Sequence, residues 1–404
     1  MMILSAVLFA CTGHGIPKSY YGRIMVLSVS SDGKYAISTD YSRHAVLWDI
    51  AHKSYKVLPV YPVNIYSAYF IKNSDRFIIQ KDNNNEVLVE DVKGNLVKSF
   101  KVDFPSYGQV MTTDLKNYIA ADEDFNVYRY DNGQKTQMME SICNINNEQD
   151  FIRTDVLRVC HSFIGSGKLL GFTFSKDEHY LLASDGSGYI FLFDLIKSDN
   201  SMLIGNSGLG LKLYSTLSPD DQYIVGAGTA MKLNKCNIAN GTCKQFAFIM
   251  PQDSFKEAEN KDRFGYDPNG VTGIKYIDNN HYLVFFHATI NNFGFRPLFP
   301  FAALYHNDTP IIIKESDTYG RMQPIKYIPL VAKKYRDPYL THIDTFPATN
   351  HITPQAIDTS VQAHILVTGQ YQNNGILVYQ YDPVKQDLKK VWSPTIDYHP
   401  RFGG

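Results

Sequence analysis

Ser218-Pro-Asp-Asp-Gln-Tyr223-Ile-Val-Gly decides the fold: a short polar turn closes on an aromatic residue and opens into small apolar residues. The pattern occurs seven times in the 404 residues of the chain, and we call its aromatic or histidine residue the anchor residue. The other six occurrences are Ser31-Asp-Gly-Lys-Tyr35-Ala-Ile-Ser, Ser74-Asp-Arg-Phe77-Ile-Ile, Asp114-Leu-Lys-Asn-Tyr118-Ile-Ala-Ala, Ser175-Lys-Asp-Glu-His-Tyr180-Leu-Leu-Ala, Asp278-Asn-Asn-His-Tyr282-Leu-Val and Ser360-Val-Gln-Ala-His364-Ile-Leu-Val. A repeat of roughly 40 residues made of short strands and turns is typical of a propeller blade.

Each repeat supplies four strands in order, which is the content of one blade. In the first repeat they are Val26-Leu-Ser-Val-Ser, Tyr35-Ala-Ile-Ser-Thr-Asp, His44-Ala-Val-Leu-Trp-Asp-Ile50 and Lys53-Ser-Tyr-Lys-Val-Leu58. The sequence therefore predicts an all-β, seven-bladed propeller over residues 23–395, with four antiparallel strands per blade.

The spacing of the anchor residues leaves one alternative for the blade count. Successive anchor residues are 42, 41, 62, 43, 59 and 82 residues apart, and the last gap is twice the basic repeat, so an eighth blade is possible. That gap offers a fourth strand for blade six at 309–314 and one hairpin at 327–343. Because these do not amount to four further strands, we predict seven blades.

The dipeptide Trp48-Asp49 in the third strand of the first repeat resembles the Trp-Asp pair that names the WD40 repeats. The other repeats keep at most the Asp, and the Gly-His element of that family is absent. The chain thus resembles a degenerate WD40-like repeat propeller. This resemblance implies a fold but does not name a partner, since propellers carry many unrelated functions.

The composition excludes several classes of protein. A hydrophobic content of 44% and a charged content of 20% are typical of a folded globular chain. With 39 basic and 40 acidic residues, the protein has no global field that would attract nucleic acid or an anionic membrane surface. No internal stretch reaches the 18 or so apolar residues that a transmembrane helix needs.

The N-terminus carries a short apolar run that ends at Cys11. The order Leu8-Phe9-Ala10-Cys11 resembles the lipobox of bacterial lipoproteins, in which the cysteine is lipidated and becomes the mature N-terminus. The resemblance implies a signal peptide at residues 1–10, a lipidated tether at 11–22 and, after the propeller, a tail at 396–404. Thr12 after the cysteine implies delivery to the outer membrane.

This N-terminus departs from the lipoprotein pattern in two ways. Phe9 is bulkier than the usual residue at its place, and no Lys or Arg precedes the apolar run, whereas secretory leaders carry a basic segment there. The alternative is an edge strand of a cytoplasmic propeller.

Four further cysteines fit an oxidising compartment. Cys236 and Cys243 flank Asn-Ile-Ala-Asn-Gly-Thr, which predicts a hairpin with Gly241 at the position that needs a positive φ. The two cysteines would face each other across this hairpin, within reach of a disulfide. Cys143 and Cys160 bracket one irregular insertion, and we predict that a second disulfide closes it. Free buried thiols in a cytoplasmic protein are the alternative.

Four long excursions interrupt the blades, and we predict that all of them lie on one face. Residues 140–168, 251–270 and 316–352 lie between the fourth strand of one blade and the first strand of the next. Residues 289–299 lie between the second and third strands of blade six, a connection that emerges on the same face.

Aromatic and basic side chains of these excursions are the candidate partner-binding residues, because such side chains anchor protein interfaces. Long loops on a rigid scaffold are also common carriers of function. The candidates are Phe293, Phe295, Arg296, Phe299, Tyr319, Arg321, Tyr327, Lys333, Lys334, Tyr335, Arg336 and Tyr339. The alternative is that these side chains simply cap the propeller rim.

The sequence contains no recognisable catalytic motif. Gly-x-Ser-x-Gly, His-Glu-x-x-His, the phosphate-binding loop and the dinucleotide fingerprint do not occur. The first strands, which line the channel of a propeller, carry only two charged residues, Lys275 and Asp358. His281 in a turn and His364 at an anchor position have structural explanations. We therefore predict no catalytic residue, no metal site and no cofactor.

These features together predict a non-enzymatic scaffold. We expect an outer-membrane lipoprotein facing the periplasm, which joins or assembles a bacterial envelope complex through loops on one propeller face. Its partners would be other envelope proteins and, through the anchor, membrane lipid, with no nucleic acid and no small-molecule cofactor. Two alternatives remain: an envelope hydrolase or oxidoreductase with a site in the central channel, and a cytoplasmic WD40-like scaffold.

Overall fold

The computed structural model describes the strands of the propeller and most of the turns between them. The described residues are 24–40, 45–58, 65–81, 85–104, 108–122, 126–131, 133–139, 171–184, 190–196, 201–203, 214–228, 232–248, 266–267, 271–286, 289–290, 296–297, 301–308, 311–312, 320–322, 324–329, 356–369 and 375–394. Within these ranges, no helix has the length and hydrophobicity needed to cross a membrane.

The first four blades are antiparallel sheets whose four strands follow one another in sequence. Blade one contains β1 (Ile24–Val29), β2 (Tyr35–Asp40), β3 (Ala45–Asp49) and β4 (Ser54–Val57). Blade two contains β5 (Ile65–Phe70), β6 (Arg76–Lys81), β7 (Glu86–Asp91) and β8 (Leu96–Lys101). Blade three contains β9 (Gly108–Met111), β10 (Asn117–Ala121), β11 (Val127–Asp131) and β12 (Gln134–Met139). Blade four contains β13 (Gly171–Phe174), β14 (Tyr180–Ser184), β15 (Ile190–Asp194) and β16 (Ser201–Leu203).

Blades five to seven keep this arrangement, with two additional strands joined to blade five and a separate small sheet formed by residues before and within blade six. Blade five is built on β17 (Tyr214–Leu217), β18 (Tyr223–Ala227), β19 (Lys232–Asn237) and β20 (Cys243–Phe248). A separate small sheet contains β21 (Tyr266–Asp267), β24 (Thr289–Ile290) and β25 (Arg296–Pro297). Blade six contains β22 (Val271–Tyr276), β23 (His281–Phe286), β26 (Phe301–His306) and β29 (Lys326–Pro329). Blade seven contains β30 (Ile357–Ser360), β31 (Ile365–Gly369), β32 (Ile376–Asp382) and β33 (Asp387–Trp392).

Seven blades complete the ring, as predicted, because the first strand of each blade contacts the first strand of the next. β22 of blade six packs against β30 of blade seven, and β30 packs against β1 of blade one. Between blades seven and six, Thr359 Oγ1 donates to the carbonyl of Tyr276 (2.7 Å). Between blades seven and one, Ser360 Oγ donates to the carbonyl of Ser31 (2.5 Å). These contacts leave no position for an eighth blade.

Blade five carries two extra strands at its outer edge, β27 (Ile311–Ile312) and β28 (Gly320–Met322). β28 runs parallel to β20, and β27 pairs with β28, which makes this sheet six-stranded. The prediction that residues 309–314 form the fourth strand of blade six is wrong, because β29 takes that position by pairing with β26. An apolar run identifies a strand but not the sheet edge that it joins.

A recurring hydrogen-bond pattern shapes the turn between the first two strands in four of the blades. In blade three, Thr112 Oγ1 and the Lys116 N–H both donate to Asp114 Oδ1, at 2.7 and 3.0 Å. The bond from Thr112 holds the pKa of Asp114 below its ordinary value. The hydroxyl and carboxylate pairs of the other three turns are Ser30 with Asp32, Ser175 with Asp177, and Ser218 with Asp220. The polar half of the sequence repeat thus has a direct structural role.

The anchor residues occupy two successive positions of the second strand rather than one. Tyr35 pairs with Asp49 at the first position. In blade two Arg76 holds that position, and Phe77 follows it. Because successive side chains of a strand point to opposite faces, the two groups of anchor residues face opposite sides of their blades. The half-buried group is Tyr35, Tyr180 and Tyr223, and the fully buried group is Phe77, Tyr118 and Tyr282.

His364 does not occupy the position of an anchor tyrosine, so this prediction is wrong. The residue has a positive φ (55°), and its carbonyl accepts the N–H of Tyr381. In blade one the carbonyl of Lys34, the residue before Tyr35, accepts the equivalent backbone N–H. Ile365 therefore takes the register of Tyr35.

Blades one and seven close the ring by packing side against side. Gly369 lies so close to blade one that an added Cβ would be 2.8 Å from the Cβ of Ile24. Trp48 of blade one and Trp392 of blade seven meet edge to face, with ring centroids 6.2 Å apart. The other predicted means of closure, a strand near residues 20–21, lies outside the described residues.

Asp358 in β30 connects blade seven to both of its neighbours. Its carboxylate accepts the N–H of Val29 in blade one (2.9 Å) and pairs with Lys275 Nζ in blade six (2.9 Å). Burial, together with the nearby charge of Asp358, raises the pKa of Tyr69 in blade two to about 12. The two charged residues of the channel strands therefore neutralise each other and join three blades.

We predict that Gly369→Ala destabilises the protein by about 1–3 kcal/mol. The added methyl group would clash with the Cβ of Ile24, an atom that cannot move away without its backbone. Gly273→Ala is the matched control, because its Cβ would meet Ile357 and Phe285 only at 3.4 Å, an ordinary contact distance. Urea unfolding followed by far-ultraviolet circular dichroism measures both. Equal costs for the two variants would contradict this account of closure.

We predict that Asp358→Asn lowers the free energy of unfolding by about 1–2 kcal/mol, because Asn still accepts the Val29 N–H but leaves the Lys275 ammonium without its partner. The double variant Asp358→Asn with Lys275→Met removes that unpaired charge and should recover most of the loss. The same urea titration tests this. A double variant that is less stable than the single variant would show that the two residues do not act as a pair.

Candidate functional site

Two carboxylates connect blades on the face where strands one and two of each blade are joined, which we call the turn face. Glu178 Oε1 of blade four accepts the N–H and the hydroxyl of Thr113 in blade three, at 2.9 and 2.6 Å. Asp221 Oδ2 of blade five accepts the N–H of Lys176 in blade four (2.6 Å). Both residues have a positive φ, 59° and 55°, which is uncommon outside glycine. The sequence did not predict these links, because the residues of a polar turn do not show which of them will bond to a neighbouring blade.

Lys72 lies at the same end of the channel and reaches across blade three. Its ammonium donates to the carbonyl of Phe174 in blade four (2.8 Å). Burial lowers the pKa of Lys72, and the charges of Asp221 and Glu178 oppose that shift. Burial also raises the pKa of Asp221. Lys72, Glu178 and Asp221 thus link blades two to five at this face.

His281 begins β23 and is buried between blades six and seven. Its ring Nδ1 lies 2.8 Å from Asp278 Oδ2, and its ring contacts His306 and Tyr381. In the part of the chain that the structure describes, no three His, Cys, Asp or Glu side chains are grouped so that they could hold a metal ion. The described contacts of His281 are those of a turn and a blade interface.

The opposite face, which we call the loop face, carries the small sheet of β21, β24 and β25. Tyr266 pairs with Ile290, and Ile290 pairs with Arg296. β21 belongs to the excursion at 251–270, whereas β24 and β25 belong to the one at 289–299. These two excursions therefore meet on one face, in agreement with the sequence analysis.

Three of the twelve candidate partner-binding residues lie among the described residues, and all three are in strands. Arg296 is in β25 of the small sheet, Arg321 is in β28 at the edge of blade five, and Tyr327 is in β29 of blade six. The other nine candidates lie outside the described residues: Phe293, Phe295, Phe299, Tyr319, Lys333, Lys334, Tyr335, Arg336 and Tyr339.

The predicted arm at 316–352 needs correction. Residues 320–322 and 326–329 belong to sheets, because the open edges of blades five and six offer them backbone hydrogen bonds. The connection from blade six to blade seven therefore consists of residues 330–355, which lie outside the described part of the chain. Both strand ends that flank it, at Pro329 and Ile357, are at the loop face.

Cys236 and Cys243 form a disulfide at the turn-face end of blade five. The two residues are directly paired across β19 and β20. Gly241 has a φ of 68°, and its N–H donates to the carbonyl of Asn237 within the connecting turn. Cys11, Cys143 and Cys160 lie outside the described residues, so lipidation and the second disulfide stay predictions.

No protein-family model matches this chain, and no curated protein matches it. Several solved structures are similar to this chain. Hsv2 from Kluyveromyces marxianus superposes with a TM-score of 0.53 at 10% identity, covering 93% of this chain and 99% of that one. Hsv2 from Kluyveromyces lactis gives 0.54 at 10% identity with the same coverage.

The β-propeller domain of Cps50 (Swd1) from Myceliophteria thermophila is similar to the same extent. Its TM-score is 0.55 at 10% identity, with 89% of this chain and 97% of that domain covered. At this identity the likeness shows the fold alone. The chain is therefore a seven-bladed β-propeller, the fold that it shares with this solved propeller domain.

Proposed function

We propose that this protein is a non-enzymatic scaffold that binds a protein partner through the loop face of blades five to seven. The observation that carries the proposal is the small sheet of β21, β24 and β25, in which two separate excursions pair with each other. This sheet is additional to the four strands of any blade, so blade packing does not account for it. Structured loops on a rigid scaffold are common carriers of binding sites.

The composition of the neighbouring connection supports a protein partner. Residues 330–355 join two strand ends at the same face and contain Lys333, Lys334, Tyr335 and Arg336. Tyrosine and arginine are enriched at the centres of protein interfaces. Arg296 in β25 adds a basic residue at this face.

The rival function, a hydrolase or oxidoreductase in the central channel, receives less support. Such a site needs titratable side chains free to act on a substrate. Lys275 and Asp358 instead pair with each other, and Lys72 donates to a backbone carbonyl. These residues connect blades.

We predict that replacing Lys333, Lys334, Tyr335 and Arg336 by Ser abolishes partner capture at the loop face, because it removes the charged and aromatic anchors and leaves the strands intact. The measurement is cross-linking mass spectrometry of the full chain in its native host. The matched control replaces Lys93, Leu96, Val97 and Lys101, which are exposed on blade two. Capture should survive the control replacement, and capture that also survives the first replacement would overturn the loop-face assignment. A circular dichroism melt verifies that both variants fold.

For the cellular location, we propose an outer-membrane lipoprotein facing the periplasm, where it would join or assemble an envelope complex. Two features support this: the order Leu8-Phe9-Ala10-Cys11, and the disulfide between Cys236 and Cys243, since such bonds persist in oxidising compartments. Several acyl chains on one terminus would give stable anchoring. A cytoplasmic scaffold is the alternative.

We predict that the native protein lacks residues 1–10 and carries acyl chains on Cys11. Intact-mass and N-terminal peptide mass spectrometry of protein from its native host measures both. Cys11→Ser should leave the leader uncleaved and remove the protein from the outer-membrane fraction, whereas Cys143→Ser should not. A native chain that retains Met1 would refute the lipoprotein proposal and favour the cytoplasmic alternative.

A further inference from the structure

Both tryptophans of the chain lie where the outer strands of blades seven and one approach each other. Trp48 in β3 is fully buried and donates its indole N–H to Ser38 Oγ (2.8 Å). Its ring contacts Tyr55 in β4, with centroids 5.5 Å apart, and Trp392 in β33. We call this surface the rim seam and define it by Trp48, Tyr55, Val57, Lys389 and Trp392.

The blade-one side of the rim seam presents apolar side chains to solvent. Tyr55 pairs directly with Trp48, so Tyr55 and Val57, two residues apart, lie on the blade face that Trp48 turns toward blade seven. Tyr55 is 43% exposed and Val57 is 39% exposed. An outer strand with two partly open apolar side chains above a buried tryptophan offers a surface for a partner's side chain.

The blade-seven side combines an aromatic ring with a basic side chain. Trp392 pairs with Val378, and Lys389 pairs with Gln380, because a bulge between these pairs shifts the register by one. Val378 and Gln380 are two residues apart, so Lys389 and Trp392 lie on the same side of blade seven. Val378 packs in the cluster shared with blade one, so this side faces the rim seam.

Free backbone edges border the rim seam. β4 and β33 are the last strands of their sheets, and neither pairs with a further strand among the described residues. Blade five shows what such an edge can accept, because β20 there pairs with the added parallel strand β28. Unpaired edges are templates for an extended chain, and adding a strand to an edge is a common mode of peptide recognition.

The charge around the rim seam fixes the charge of the partner. Lys53 and Lys389 are exposed, and within the described ranges neither of them forms an ion pair. The nearby carboxylate of Asp387 is already paired with Lys326 of blade six (2.8 Å). A segment bound here would therefore gain from carrying acidic residues.

We propose that the rim seam is a second binding site, separate from the loop-face surface, for an extended acidic peptide segment that carries a large apolar side chain. The backbone of the segment pairs along the open edge of β4. Its apolar side chain lies against Tyr55 and Trp392, and its carboxylates interact with Lys389 and Lys53. This inference does not depend on the loop-face proposal.

The two tryptophans make the site directly measurable, because all of the tryptophan emission of the chain comes from the rim seam. The probe is the tryptophan-free, end-capped peptide Glu-Ile-Glu-Phe-Asp-Val-Glu, titrated into the full-length protein while tryptophan fluorescence is recorded. We expect a saturable change in emission. The basic counterpart Lys-Ile-Lys-Phe-Lys-Val-Lys should bind at least about tenfold more weakly, equivalent to about 1.4 kcal/mol.

Variants on the two sides of the rim seam locate the binding. Tyr55→Ser and Lys389→Glu should each weaken the acidic peptide about tenfold or more, whereas Ile196→Ser, at an exposed apolar position on blade four, should change nothing. Lys389→Glu should also strengthen the basic peptide, which a folding defect would not do. The test uses purified protein, so a failure of the loop-face proposal does not affect it.

Three results would overturn the inference. The first is no change in emission up to millimolar peptide, and the second is equal binding of the acidic and basic peptides. The third is a free chain whose tryptophan emission becomes sensitive to quenching by acrylamide only after residues 395–404 are removed. The chain's own C-terminal segment would then be the occupant of the rim seam.

Discussion

A four-stranded blade has two apolar faces, and blades one and seven bury both of theirs only when the ring closes between them. Closure relies on the close approach of Gly369 to Ile24, on the contact of Trp48 with Trp392, and on Asp358. The apolar area removed from water stabilises the ring at about 25 cal/mol per Å², whereas the hydrogen bonds of Asp358 fix which strands face each other. The first strands of all seven blades contact one another in succession, so this seam is the contact that turns the row of blades into a closed ring.

The two faces of the ring have different roles as a consequence. On the turn face, serine, threonine and aspartate side chains shape the turns, and the carboxylates of Glu178 and Asp221 bind the backbone of the preceding blade. The turns of this face are short, and these side chains form their hydrogen bonds within the ring. The loop face receives the excursions, and two of them build a sheet of their own. A rigid ring with one decorated face is a suitable scaffold for recognition, which is the basis of the proposed function.

The sequence predicted the repeating part of this structure and missed what depends on contacts between repeats. Blade number, strand order and the pairing of Cys236 with Cys243 follow from local spacing. The partner of Ile311–Ile312 does not, because an apolar run carries no information about which blade edge it will join. The predicted position of His364 was wrong by one, because the sequence pattern does not show that Ile365 is the residue that pairs with the third strand. Of the candidate site, only the location of the small sheet on the loop face could be tested, and most of its predicted residues lie outside the described part of the chain.

The dependence of the whole ring on the closure of blades one and seven can be tested by one experiment on the native sequence. Tryptophan emission reports this seam alone, because Trp48 and Trp392 are the only tryptophans of the chain. Far-ultraviolet circular dichroism reports all seven blades. We predict that the two signals change at the same urea concentration and with the same slope, since a ring that unfolds as one cooperative unit loses its seam and its blades together. A change in tryptophan emission at lower urea, with the circular dichroism still native, would show that the ring persists without its closure and would contradict the account.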